Sequence, residues 1–133
     1  MPPDPSPAAA IVDQVRAALE SPDPSRLRAL LHPDVRWGAP DDASPSCQNR
    51  DQVLAWYQRG HEAGVRAHVT AADAHGDRIL VAMRVTGARG AERLARAVDR
   101  WQVLTVRDGR IADIRGFDRR ADAEALASAS DPR

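Results

Sequence analysis

Apolar positions along this 133-residue chain change period once. Up to residue 64 they recur every three or four residues; from 65 to 117 they tend to alternate. Ser6-Pro7 reads as a helix cap followed by proline in the first turn, where a missing N–H does no harm. Ile11, Val15, Ala18 and Leu19 then make one apolar stripe over residues 7 to 20. Asp23-Pro24 repeats the cap. Leu27, Leu30 and Leu31 predict a shorter second helix that His32-Pro33 must end. Val35-Arg36-Trp37 is a short extended segment, and residues 38 to 48 form a loop. Asn49 with Gln52 three residues on resembles a capping box, and Asp51 suits the positive end of a helix. Val53, Trp56, Tyr57 and Gly60 share one face of that third helix, which Gly64 should stop.

Strands follow. Residues 65 to 74 are strand-like, and His75-Gly76-Asp77 supplies a turn. Ile79, Val81, Met83 and Val85 then alternate along residues 78 to 86. Gly87 to Arg96 is a connection, Val98 to Val106 the next strand, and Arg107-Asp108-Gly109-Arg110 a hairpin turn leading into Ile111 to Phe117. An Ala-rich helix over 119 to 127 ends the pattern. Helices first and antiparallel strands afterwards predict the α+β class, in a single domain over 1–133 with a loose arm at 1–7 and a loose tail at 128–133.

Composition narrows function more than fold. Acidic and basic residues balance at 19 each, so the formal net charge is 0 and the broad positive footprint of a nucleic-acid binder is missing. No apolar run reaches the roughly 20 residues that span a bilayer, and the first residues resemble no signal peptide. With Cys47 as the only cysteine, no internal disulfide can form, and a cytoplasmic location is expected. Every basic residue is arginine, a usage that fits a high-GC bacterial genome and excludes lysine nucleophiles and Schiff bases. His32, His61, His68 and His75 lack metal-ligand spacing and no phosphate loop is present, so neither metal nor cofactor is expected.

Three stretches carry a family resemblance: Ala29-Leu30-Leu31-His32-Pro33-Asp34-Val35-Arg36-Trp37, Asn49-Arg50-Asp51-Gln52-Val53-Leu54-Ala55-Trp56-Tyr57, and Val106-Arg107-Asp108-Gly109-Arg110-Ile111. In this order and spacing, over residues 8 to 127, the chain resembles the nuclear transport factor 2-like superfamily, in particular its SnoaL-like bacterial branch. The resemblance implies a cone in which three N-terminal helices pack on a curved, mostly antiparallel sheet around a cavity. It also implies a homodimer, here through the outer sheet face. Catalytic positions of known members are not matched. The tyrosine of ketosteroid isomerases falls at Val15, their base at Ala39 and their oxyanion-hole aspartate at Trp101, which leaves no acid–base set. Epoxide hydrolases keep an Arg-x-Asp pair where this chain has Arg84-Val85-Thr86, and their later acid falls at Gly116.

What remains is a set of candidates, each with a plainer alternative. Trp37, Trp56, Tyr57, Met83 and Trp101 are expected to line the pocket for a small, largely apolar ligand, or simply to fill the core. Arg84 would meet an anionic ligand group or pair across a dimer, and Asp99 would line the pocket or pair with Arg84. Asp118 and His61 are the candidate acid–base residues of a cofactor-free cyclase or isomerase-type reaction. Asp118 could equally cap the last helix, and His61 could be structural. Cys47 has no histidine partner in sequence that would make it a nucleophile. Two readings follow: a pocket protein with no assigned reaction, or a cofactor-free enzyme.

Overall fold

In the computed structural model, which describes residues 7–21, 23–38, 47–87 and 98–128, the change of period becomes a division between helices and sheet. α1 (Pro7–Glu20) and α2 (Pro24–Leu30) lead into β1 (Leu31–Gly38), and α3 (Arg50–Glu62) follows. β2 (Arg66–His75), β3 (Arg78–Thr86), β4 (Val98–Arg107) and β5 (Arg110–Phe117) come next, and α4 (Arg120–Ala127) closes the series. The five strands form one sheet in the order β1-β5-β4-β3-β2, antiparallel except where β1 lies parallel to β5. Most of the expected arm, tail, Gly87 to Arg96 connection and 38 to 48 loop, Ala39 included, lies outside the described residues.

Local chemistry sets most boundaries as expected. Asp23 caps α2 by accepting from the Ser25 N–H at 3.0 Å. Asn49 Oδ1 accepts from the Gln52 N–H at 2.9 Å, but Gln52 Oε1 reaches back to the Gln48 N–H rather than to Asn49. Asp108 and Gly109 both have positive φ, 56° and 76°, the geometry of a two-residue hairpin turn matched to strand twist. One boundary differs. Leu31, expected in the second helix, already begins β1, and the strand runs through His32-Pro33-Asp34. A proline there is tolerated because β1 is an edge strand, and its pairing with β5 is irregular between Leu31 and Arg36.

Register sorts the side chains onto two faces. Ile79, Val81 and Met83 on β3 stand opposite Leu104, Gln102 and Arg100 on β4, and Gln102 and Leu104 stand opposite Gly116 and Ile114 on β5. This face packs against α1 and α3 in the main core, with Val15, Val35, Val53, Val69, Ile79 and Val81 fully buried. The other face presents Leu80, Trp101, Val103 and Phe117, which pack with Ala123, Leu126 and Ala127 of α4 in a second, smaller core. The three-helix layer expected from sequence is therefore joined by a fourth helix on the opposite side.

Bulges bend the sheet. Register shifts insert an extra residue, Thr70, between Val69 and Ala71 on β2, and another, Ala112 of β5, opposite Thr105 and Val106 of β4, which increases local twist. On edge strand β2, α1 binds the backbone beside the bulge: the Val69 N–H donates to Glu20 Oε2 at 3.0 Å, and its carbonyl accepts from Arg16 Nη2 at 3.2 Å. A sheet edge that could recruit another strand is thereby partly occupied.

Candidate functional site

Between the bent sheet and helices α1 to α3 lies a cavity of about 1150 Å³, somewhat above the usual range for small-molecule sites. Two features keep it open. Gly116 stands on the cavity face of β5, and a Cβ built there would meet nothing within 4 Å. Elsewhere in the lining, Ala18, Ala63 and Ala67 carry only methyl groups.

Aromatic side chains cluster on one side. Trp37 of β1 packs against Trp56 and Tyr57 of α3, with ring centroids 4.6 Å and 4.8 Å apart and tilted planes. A pair of backbone hydrogen bonds, Trp37 N–H to Cys47 at 2.9 Å and Cys47 N–H to Trp37 at 3.1 Å, pins the strand that carries Trp37. Trp56 remains 47% exposed although it lines the cavity, an unusual position for a large indole. Tilted aromatic contacts of this kind contribute roughly 0.5–1.5 kcal/mol beyond area burial.

The inner wall holds two polar groups. Burial pushes the Tyr57 hydroxyl up to about 12, with the neighbouring Gln102 side chain pulling the other way and Cys47 adding a smaller upward push. Gln102 is only 7% exposed and is the sole buried polar side chain among the described residues. The Gln102 side chain comes within hydrogen-bonding reach of the Tyr57 hydroxyl, but neither Tyr57 Oη nor Gln102 Oε1 makes a hydrogen bond of ordinary geometry among the described residues. Cys47 is also buried. Its thiol contacts the Gln52 carbonyl at 3.7 Å, and desolvation raises its pKa, opposed by Arg59. A thiol kept protonated in this way is a poor nucleophile.

The open end is charged. Asp118, expected either as an acid or as a helix cap, does not cap α4: the capping position is Arg119, without a side-chain hydrogen bond. Its carboxylate instead pairs with Arg100 Nη1 on the neighbouring strand, and both residues border the cavity. The Asp118 side chain is 81% exposed. His61 borders the same opening and is exposed; its carbonyl accepts from Arg66 Nη1 at 2.9 Å.

Register separates the other candidates. Trp37, Trp56, Tyr57 and Met83 line the cavity. Arg84 and Asp99 are absent from its wall, because the period of two turns both to the face opposite Met83 and Arg100. There they pair with each other at 3.3 Å, with side chains 59% and 57% exposed. Trp101 touches the cavity rim but packs into the second core beneath α4, apart from the other tryptophans. Arg100 and Gln102 were not anticipated; their alternation with Leu104 and Val106 was the available signal. Val15 is fully buried in the core. Among the described residues, no group of three or more His, Cys, Asp or Glu is placed to hold a metal ion, and no helix is long and apolar enough to cross a membrane.

The arrangement is thus an apolar chamber with neutral polar groups inside and an ion pair at its mouth. Comparison with known proteins agrees with the fold. A family model for SnoaL-like domains matches residues 12–114. No curated protein matches. Among solved structures, a candidate polyketide cyclase from Sinorhizobium meliloti superposes with a TM-score of 0.65 at 24% identity, over 81% of this chain and 94% of that one. A nuclear transport factor 2-like protein of unknown function from Mesorhizobium loti gives 0.66 at 22% identity, over 88% and 95%. A Catenulispora acidiphila protein with a ketosteroid isomerase-like fold, solved in complex with trimethylamine, gives 0.64 at 22%, over 90% and 93%.

Proposed function

This chain belongs to the SnoaL-like domain family, within the nuclear transport factor 2-like superfamily, and from that premise we propose that its cavity binds a small, largely apolar organic molecule. The observation that carries this reading is the chamber itself, about 1150 Å³ and walled by Trp37, Trp56, Tyr57, Met83 and small side chains. Concave, mainly apolar sites with a few placed polar groups are the usual form of ligand pockets. Native mass spectrometry against a panel of hydrophobic metabolites tests it. A one-to-one adduct that is lost when Gly116 is enlarged supports the reading, and a panel without adducts contradicts it.

A second reading, a cofactor-free cyclase or isomerase-type enzyme, is favoured by one observation: Asp118 and His61 border the same opening. In it, Asp118 takes or returns a proton at the cavity mouth, with Arg100 holding the carboxylate in place. The Sinorhizobium meliloti relative is consistent with such chemistry in this fold. Loss of turnover in Asp118→Asn with an unchanged melting temperature supports it, and unchanged turnover removes it. The homodimer we propose uses the part of the outer sheet face that α4 leaves open, around Arg84 and Asp99; size-exclusion chromatography of Arg84→Glu tests that arrangement.

A further inference from the structure

Two polar side chains of the cavity wall carry buried oxygens that the fold itself leaves without a well-formed hydrogen bond among the described residues. Gln102 stands mid-strand on β4, between Val81 of β3 and Gly116 of β5, where an apolar residue would continue the pattern of Leu104 and Val106. It is 93% buried by the 7% exposure of its residue, and its Oε1 accepts no hydrogen bond among the described residues. Tyr57 approaches from α3, and its buried hydroxyl is likewise without a hydrogen bond among those residues. The two side chains are neighbours: the Gln102 amide lies within hydrogen-bonding reach of the Tyr57 oxygen, an approach that still leaves the tyrosine proton and Gln102 Oε1 without partners among the described residues. An unmade hydrogen bond in the interior costs the fold the lost hydration of that group, so two such groups side by side call for something that satisfies both.

Resting on the reading of the cavity as a small-molecule site, we infer that Tyr57 and Gln102 form a recognition couple for one neutral hydroxyl group on an otherwise apolar, ring-shaped ligand. The Tyr57 O–H donates to the ligand oxygen, and Gln102 Oε1 accepts the ligand's proton. A hydroxyl supplies both functions from a single atom. An ether or a ketone leaves Gln102 Oε1 unmatched, a methyl group leaves both unmatched, and a carboxylate carries the cost of taking a full charge out of water. Burial keeps the tyrosine protonated through the neutral range, so it stays a donor. Both oxygens are shielded from solvent. The seated hydroxyl therefore arrives with a rotation of the long Gln102 side chain toward the space it already lines.

Calorimetry with three probes of one shape tests the couple: 2-naphthol carries both functions, 2-methoxynaphthalene only the acceptor, and 2-methylnaphthalene neither. The protein should bind 2-naphthol at least about tenfold more tightly than 2-methylnaphthalene, with the methoxy compound between them. In Tyr57→Phe and Gln102→Leu that preference should shrink to about twofold, with the affinity for 2-methylnaphthalene kept. Without ligand, both variants should melt at or above the parent temperature, because each removes an unmade hydrogen bond. Equal affinity for the three probes, or a preference that survives both substitutions, overturns the couple and leaves the apolar cavity standing. Binding by none of the three overturns both. A melting temperature lowered by more than about 5 °C in either variant marks a structural hydrogen bond and also overturns the couple.

Discussion

On the face of the sheet covered by α4, Leu80, Trp101, Val103 and Phe117 meet two alanines and a leucine, and Arg84–Asp99 and Arg115–Asp113 form ion pairs. On the opposite face, helices α1 to α3 bury a larger set of side chains and still leave about 1150 Å³ open, with two buried oxygens that lack a hydrogen bond among the described residues. One alternation along the same strands builds both. The difference comes from what covers each face. An eight-residue helix with Ala123 and Ala127 toward the sheet lies close against it. Three helices arching over bulged strands cannot close the space beside Gly116. The hollow is not slack packing, since Val81, Leu104 and Ile114 on the same face are fully buried. It is a local opening at one end of a well-filled layer.

Substitutions that break this contrast should act in a clear order. Leu104→Ala on the filled part of the helix-covered face should lower unfolding free energy by about 2–5 kcal/mol, measured by urea denaturation. Tyr57 should make stability pH-dependent at high pH. Its pKa rises from 10 in the unfolded chain to about 12 in the fold, so the native state holds this proton more tightly. That contribution is fully present below pH 10 and falls as pH climbs toward 12, by about 3 kcal/mol at most; Tyr57→Phe should remove this part of the slope. Gly87→Ala should cost about 1–3 kcal/mol, because φ is +74° there and the new Cβ would fall 2.1 Å from the Gly64 carbonyl oxygen. Gly116→Leu should change stability by less than about 1 kcal/mol while abolishing adduct formation, since it fills open space at an unstrained backbone position. Arg84→Ala should be smallest, below about 1 kcal/mol, with ligand binding untouched, as expected for an exposed ion pair on the other face.

Much of this molecule was legible in the order of its residues. Helix caps at Asp23 and Asn49, the Asp108-Gly109 turn and the alternation of Ile79, Val81 and Met83 each follow from local chemistry, and each appears in place. The cavity was harder to read in detail. A period of two says which residues share a face but not which face meets the helices. Hence Trp101 was expected beside Trp37 and Trp56, while Gln102 and Arg100, one residue to either side, hold the inward positions. The Arg100–Asp118 pair depends on the register between β4 and β5, and the bulge at Thr105 and Val106 shifts that register within the same pair of strands. Pro33 marks the end of a helix in the sequence, yet the helix stops at Leu30 and the proline sits inside β1, where its tolerance depends on the strand order. Trp37, Trp56 and Tyr57 were identifiable because two share a helix face and the third ends the preceding strand.

The central claim is that the helix-covered face carries the ligand site and the α4 face does not. Titration of the isotope-labelled protein with 2-naphthol, followed by two-dimensional nitrogen–proton NMR, addresses it most directly. Shifts should appear at the Trp37 and Trp56 indole N–H groups and at the Gln102 side-chain amide, with Leu80, Arg84, Asp99 and Ala123 unmoved. Shifts confined to the second group, or none at saturating probe, would contradict the account.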